Sequence, residues 1–416
     1  MLKRKLTMKN AFIWVPAALA ATALVLFLDY RLFSAFVPSR KVPANAEYDF
    51  GLMTEAWNTI HKVYVDRSAL KNRTLTYGAI SGMVDALGDT GHSVFLTPDM
   101  LREQRKFTEG RYKGVGVEIT VLDGRVVIVT TLDGSPARAA GLRSGELITM
   151  VGGRVITGLP LTQVVNLISG PEGTRVRLTV FDPATKASRL VTLTRSPISV
   201  RNVRWSRLPG SGIAHLRIAG FSEGVSRDLR KTLMEIRRQG IDRIILDLRD
   251  DPGGVLEEAV DCTSQFLKGG NALLVRDAAG DISPVPVTAG GEATGIPLAV
   301  LVNEGTASGA EIMAGAIQDY RRGKLIGTRT FGAGTVLGKF DLSDGSALML
   351  AVDEWLTPGG HAIWHKGITP DVDKDLDQGV FPLFPEQENG LTETGLRDSR
   401  DIQLLAAIRL LSGREK

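Results

Sequence analysis

The sequence predicts a multidomain protein of mixed α and β structure (α/β): an N-terminal membrane helix, a helical segment, a β-rich domain and an α/β core. Three observations predict it. Residues 11–28 form an apolar run without a charge. Residues 107–197 hold short β-branched runs separated by glycine turns. From about Ile213 onward, apolar strands alternate with helical patterns as they do in βαβ units. With 416 residues the chain is long enough for two or three bodies that each bury a core.

The N-terminus reads as a basic tail (1–10) followed by an anchor (11–28). A helix over the apolar run rises about 27 Å, close to the thickness of a bilayer core. Lys3, Arg4, Lys5 and Lys9 precede it, so the positive-inside rule places the tail in the cytoplasm. The rest of the chain then lies outside, as the extracytoplasmic part of a single-pass protein of the cell membrane. Ala44-Asn45-Ala46 resembles a signal-peptidase site but lies far beyond the apolar run, which favours an uncleaved anchor.

A linker (29–46) with Pro38 and Pro43 leads into a helical region (47–106). There Met53, Trp57, Ile60 and Tyr64 recur at helical steps, and Ile80, Met83, Val84 and Leu87 mark a second helix over about 76–87. The second helix ends at the breaker cluster Gly88-Asp89-Thr90-Gly91, with His92-Ser93 next. In the β-rich domain (107–197), strands are expected at 115–119, 126–129, 147–151 and 176–180. In the core (198–375), strands at 241–248 and 297–303 each run into a tight turn and then a helix. Ligands of α/β sheets bind at such turns. The tail (376–416) carries a short helix over 403–411.

Composition excludes several roles. The net charge of +4 is small for this length and partly sits in the N-terminal tail, so a nucleic-acid partner gets no support. Cys262 is the one cysteine and forms no internal disulfide. No metal site or cofactor is expected, because His, Cys and carboxylates do not cluster at ligand spacing.

The β-rich stretch resembles a PDZ domain through Tyr112-Lys113-Gly114-Val115-Gly116-Val117, Ser135-Pro136-Ala137, Ala140-Gly141-Leu142-Arg143-Ser144-Gly145-Glu146 and Gly170-Pro171-Glu172-Gly173-Thr174. The backbone N–H groups of Gly114, Val115, Gly116 and Val117 are then expected to hold a peptide carboxylate, while a strand edge pairs with the peptide. The core resembles the carboxyl-terminal processing peptidases, a serine peptidase family, through five segments. They are Asp247-Leu248-Arg249, the Asn303–Glu311 turn, Thr330-Phe331-Gly332, Leu356-Thr357-Pro358-Gly359-Gly360 and Gly367-Ile368-Thr369-Pro370-Asp371. The resemblance implies Ser308 as nucleophile, an acyl-enzyme, and oxyanion donors from Gly253 or Gly254 and from Gly309. It also implies protein substrates with exposed C-termini and makes a homodimer plausible.

In most of that family a lysine at the position of Ala333 is the general base, and a glutamine at Leu337 helps to hold it. Both are missing here. Lys339 lies roughly 20 Å further along an extended strand, too far for a simple replacement. A lysine base also needs its pKa lowered by about three units, whereas a histidine titrates near neutrality unaided. Of the five histidines, His61 and His215 fall in regular elements and read as structural; His361 and His365 flank a loop and stay open. His92 is the preferred base. Asp89-Thr90-Gly91-His92-Ser93 resembles the Asp-x-His-Ser/Thr segment of the tricorn branch, with one extra residue between acid and imidazole. Asp89, Asp353 and Glu354 are the candidate orienting acids. The alternative function is a catalytically inactive relative that binds C-terminal tails as a scaffold. An alanine introduced in place of lysine at position 333 is a third reading.

Overall fold

The protein is described here from a computed structural model that covers residues 46–89, 93–102, 111–122, 124–159, 161–183, 185–199, 201–377, 380–388 and 390–413. The chain divides into two compact units, 1–72 and 73–416. The membrane span expected over 11–28 lies outside the described residues. Among the described residues no helix is long and apolar enough to cross a membrane.

In the first unit, Glu47–Val63 is a helix that carries Glu47 and Asp49 in its first turn and His61 and Lys62 in its last, matching the helix dipole. His61 hydrogen-bonds the Trp57 carbonyl at 2.9 Å and Asn72 Oδ1 at 3.0 Å, so its role there is local. The next helix runs Asn72–Asp85, four residues ahead of the span expected from periodicity. Its apolar stripe is short: only Ser81 and Val84 are buried.

The second unit, which holds that helix from Arg73 onward, continues with a short strand, β1 (Val94–Leu96). The PDZ-like region follows: β2 (Arg111–Gly114), β3 (Val117–Leu122), β4 (Arg125–Thr131), β5 (Leu147–Val151), β6 (Arg154–Val155), β7 (Arg175–Asp182), β8 (Ala187–Thr194) and β9 (Ser196–Ser199). Its main sheet has the order β3-β4-β5-β7-β8, and β2 pairs with β9. Ile128, Ile156, Val164, Leu178 and Val180 fill the core of this sheet at zero exposure. The strand expected at 115–119 begins at Val117 instead, because Gly114 and Gly116 take positive φ angles of 139° and 75° and turn the chain.

The core is built on β10 (Val203–Arg207), β11 (Ile213–Ile218), β12 (Arg243–Asp247), β13 (Asn271–Arg276), β14 (Ile282–Pro286), β15 (Leu298–Val302), β16 (Lys324–Gly327), β17 (Thr335–Asp341), β18 (Ala347–Leu356) and β19 (Val372–Asp373). One sheet has the order β10-β11-β12-β15-β16-β19 and is parallel from β11 through β19. Every residue of β11 and β15 is buried, as strands covered on both faces must be. Helices Val225–Arg238, Leu256–Ser264 and Gly309–Asp319 cover one face through Leu229, Ile236, Ala259, Cys262, Met313 and Ile317. The C-terminal helix Ile402–Leu411 covers the other with Leu404 and Ala407 against Ile245, Ala299 and Leu301. A second sheet, β1-β18-β13-β14 with β17 also on β18, brings a strand from before the PDZ-like region beside the core.

Beneath the parallel sheet runs a buried ionic network. His215 contacts Glu388 at 2.6 Å and Asp247 at 3.0 Å, and Arg249 binds both Asp247 and Asp401. Arg217 joins the Asp133 carboxylate of the PDZ-like region to the Arg249 carbonyl. The residues after 376 are thus part of the core, since Glu388 and Asp401 are buried partners of it.

Candidate active site

The nucleophile turn follows directly from β15. That strand ends at Val302, and the chain reverses through Asn303–Ala307 before the helix Gly309–Asp319 begins. Asn303 Oδ1 accepts the N–H groups of Gly305 (3.1 Å) and Asp250 (2.8 Å), while the Thr306 hydroxyl donates to the Leu248 carbonyl at 2.8 Å. These bonds hold Ser308 at φ 52°, a left-handed conformation for a residue with a side chain. Such strain costs on the order of 1–3 kcal/mol and persists only where the surroundings enforce it. The turn leaves Ser308 half-buried at the mouth of the sheet.

Glu311, one turn into the helix, fixes this geometry. Its buried carboxylate accepts the N–H of Ser308 (3.0 Å), Gly332 (2.8 Å) and Ala333 (2.9 Å) and the Thr330 hydroxyl (2.5 Å). Burial pushes the carboxyl up to about 7 against the pull of those four donors. The segment that carries Ala333 is therefore held against the nucleophile turn. The alanine ends at Cβ, so no basic group is presented from this position.

The glycine turn Asp250–Gly254 faces Ser308. A Cβ on Gly253 would lie 2.5 Å from the Gly309 nitrogen and 2.7 Å from Ser308 Cβ, and one on Gly254 would overlap the Phe221 carbonyl. Both residues also have positive φ, 87° and 147°. Glycine is thus required twice over. The Gly253 N–H is already engaged: it donates to Asp251 Oδ1 at 2.8 Å. Asp251 also ties the turn to the nucleophile loop, because its carbonyl accepts the Ala307 N–H at 2.9 Å. Across the turn, Asp250 takes the Thr130 hydroxyl on its carbonyl at 3.0 Å and an ion pair from Arg138 at 3.3 Å, both from the PDZ-like region.

His92 lies outside the described residues. Its flanks are placed: Ser93 N–H donates to Asp89 Oδ2, and Ser93 Oγ accepts the Ala351 N–H, both at 2.9 Å. Ala351 pairs on its other side with Leu337, so Ser93 and Leu337 stand roughly two strand spacings apart, about 10 Å. Among the acids offered as orienting groups, Asp89 bonds the Ser93 amide and Glu354 forms an ion pair with Arg276. Asp353 stands across from Val336 at the start of β17. Burial raises its carboxyl above the usual range, and Asp277 adds to the rise.

The structure separates the remaining bases. Lys339 is exposed and paired with Asp341 at 2.7 Å. His361 contacts Asp319 at 3.3 Å, at the C-terminal end of the helix that Ser308 begins, roughly 16 Å away along the axis. His215 is buried in its ionic network. The exposed His365 donates its backbone N–H to the Gly332 carbonyl at 3.0 Å, so its backbone adjoins the Ala333 turn. Cys262 is fully buried, and burial pushes its thiol well up, which leaves it inert. Among the described residues no group of His, Cys, Asp and Glu could hold a metal ion.

In the PDZ-like region, the carbonyl of Val115 accepts the Ala137 N–H and that of Gly116 accepts the Leu132 N–H. Among the described residues, the N–H groups of Val115 and Gly116 have no acceptor. The adjoining β3 is the outer strand of its sheet, with one edge unpaired. An open edge beside two amides without an acceptor among the described residues is the arrangement that β-augmentation of a peptide tail requires.

Comparison with known proteins agrees with this architecture. Residues 212–374 match the model of peptidase family S41, and residues 127–180 match a PDZ domain. A protein of Staphylococcus epidermidis named "Probable CtpA-like serine protease" is 33% identical over 318 residues, which cover 76% of this chain and 63% of that protein. A Staphylococcus aureus protein of the same name is 34% identical over 303 residues, covering 72% and 60%. The chain thus spans somewhat under two thirds of the length of these relatives. The solved structure of a photosystem II D1 C-terminal processing protease superposes with a TM-score of 0.69 at 30% identity, covering 85% of this chain and 99% of that one. A PDZ domain joined to a parallel sheet with a strained serine turn defines a serine-peptidase fold. The chain belongs to the carboxyl-terminal processing peptidase family.

The sequence did not reveal the acceptor role of Asp251 or the contacts of Asp250 with Thr130 and Arg138. The hydrogen bond to Asp250 spans 120 residues and has no local signature.

Proposed function

We propose that this protein is a membrane-anchored, extracytoplasmic serine endopeptidase that captures the C-termini of protein substrates on its PDZ domain. The observation that carries this reading is the strained Ser308 turn, held on the same carboxylate as the Ala333 segment. A folding role alone gives no reason to keep a side chain at a left-handed position. That argument disfavours the inactive scaffold.

Ser308 Oγ attacks the scissile carbonyl carbon, and His92 takes the hydroxyl proton. The Gly309 N–H and a donor from Gly253 or Gly254 stabilise the oxyanion, each worth about 3–4 kcal/mol when well placed. Collapse of the tetrahedral species expels the amine, which takes the proton from the imidazolium. Water, activated by the same imidazole, then hydrolyses the acyl-enzyme. Val115 and Gly116 hold the substrate carboxylate, and β3 pairs with its last residues. The basic tail and apolar run at 1–28 support the anchor, and a homodimer belongs to the same reading.

The test is cleavage of a protein substrate by the full chain in membranes, with its C-terminus either free or amidated. Cleavage that fails in Ser308→Ala and weakens on amidation is expected. Equal cleavage by Ser308→Ala, or indifference to the amide, contradicts the corresponding step. Release of the intact chain from membranes by alkaline carbonate contradicts the anchor.

A further inference from the structure

Asp251 is wholly buried, and its two carboxyl oxygens have different surroundings. Oδ1 accepts the Gly253 N–H at 2.8 Å, whereas Oδ2 is buried without a hydrogen-bond partner among the described residues. Three ionisable groups from different elements act on its charge: Arg217 on β11, Asp133 after β4, and Glu118 on β3. Cys262, on the helix behind, is within electrostatic reach. Glu118 likewise has Oε2 buried and without a hydrogen-bond partner among the described residues. Burial pushes the Asp251 carboxyl well above the usual range. The Gly253 N–H and Arg217 oppose that rise, and Asp133 and Glu118 add to it.

Resting on the peptidase reading above, we propose that Asp251 is a positioning residue of the oxyanion turn, whose uncharged carboxyl lets the Gly253 N–H turn to the substrate oxyanion and whose carboxylate withholds it. The physical reason is the difference between the two forms as acceptors. A neutral carboxyl makes an ordinary hydrogen bond to Gly253, which the developing oxyanion outcompetes. A carboxylate makes a charge-assisted bond roughly twice as strong, and its own charge repels the oxyanion. When Asp251 ionises, its proton passes to solvent and the turn loses one donor.

The experiment follows the rate of Ser308 phosphonylation by a fluorophosphonate from pH 6 to 10, in the full chain. Wild type is expected to rise as the base deprotonates and then to fall on the alkaline side. The fall is expected to approach roughly 100-fold, the loss of one oxyanion donor. Asp251→Asn, which keeps an acceptor for Gly253 and never ionises, is expected to lose that fall. Glu118→Gln removes a like charge from beside Asp251, so the alkaline fall is expected to move to lower pH.

An alkaline fall that persists in Asp251→Asn overturns the proposal, as does no shift, or a shift to higher pH, in Glu118→Gln. Absence of phosphonylation in wild type at every pH overturns the peptidase reading itself and the proposal with it. An Asp251→Asn protein with an intact thermal transition but no phosphonylation at any pH overturns the proposal alone, since a neutral acceptor for Gly253 should leave Ser308 reactive.

Discussion

Ser308 and Ala333 donate their backbone N–H groups to a single oxygen, Glu311 Oε2, at 3.0 and 2.9 Å. Ser308 and the position that carries a lysine base in most of this family are therefore locked together, although that position holds alanine here. The difference at position 333 is confined to a side chain; its backbone N–H is held by Glu311.

A lysine restored at position 333 is accordingly expected to approach Ser308. In a His92→Ala background, Ala333→Lys is predicted to recover serine reactivity lost with the histidine. A general base is worth roughly 100- to 10,000-fold, which sets the scale of loss and recovery. Fluorophosphonate labelling rates of the single and double variants check this. Recovery should favour alkaline pH, because the new lysine must shed its proton.

Removing the clamp has a different signature. Glu311→Ala strands three backbone N–H groups and the Thr330 hydroxyl in a buried site, each costing about 1–3 kcal/mol when unsatisfied. The thermal unfolding midpoint should fall markedly, and labelling of Ser308 should vanish. An unchanged midpoint would show that the clamp is dispensable.

The glycine turn should tolerate no side chain. Gly254→Ala drives a Cβ into the Phe221 carbonyl, and Gly253→Ala drives one against the Gly309 nitrogen. Both are expected to abolish labelling, whereas Lys339→Ala, an exposed residue paired with Asp341, should stay within about twofold of wild type.

Stability should depend on pH through His215. Burial alone would lower its pKa, but the Glu388 carboxylate and the hydrogen bonds to Asp247 and Glu388 outweigh it and raise the imidazole to about 9. The folded value exceeds the ordinary 6.5, so protonation stabilises the fold. That contribution is complete below about pH 6.5 and is lost as pH rises towards 9. The unfolding midpoint should therefore decline across this window, and His215→Gln should flatten the decline.

What could be read from sequence was what is local. The Ser308 turn, the Gly253-Gly254 turn and the apolar strands β12 and β15 each occupy a few contiguous residues, and their chemistry follows from backbone needs at those residues. The ionic network is the opposite case. Arg249 finds Asp401 across 152 residues and His215 finds Glu388 across 173, both partners lying in what reads locally as a tail. In sequence Asp251 is one acid of a turn; its full burial, with one oxygen unpartnered among the described residues, is a property of the packed structure. The ion pair of Glu354 with Arg276 is likewise non-local, since it forms across neighbouring strands that periodicity does not pair.

The central claim is that Ser308 is a live nucleophile whose base has moved from position 333 to His92. The most direct measurement is fluorophosphonate labelling of the full-length protein at neutral pH, with the modified residue located by peptide mass spectrometry. The account predicts a label on Ser308 in wild type, none in Ser308→Ala, and a rate lower by roughly 100-fold or more in His92→Ala. An unlabelled wild-type Ser308, or a His92→Ala protein that labels as fast as wild type, would contradict it.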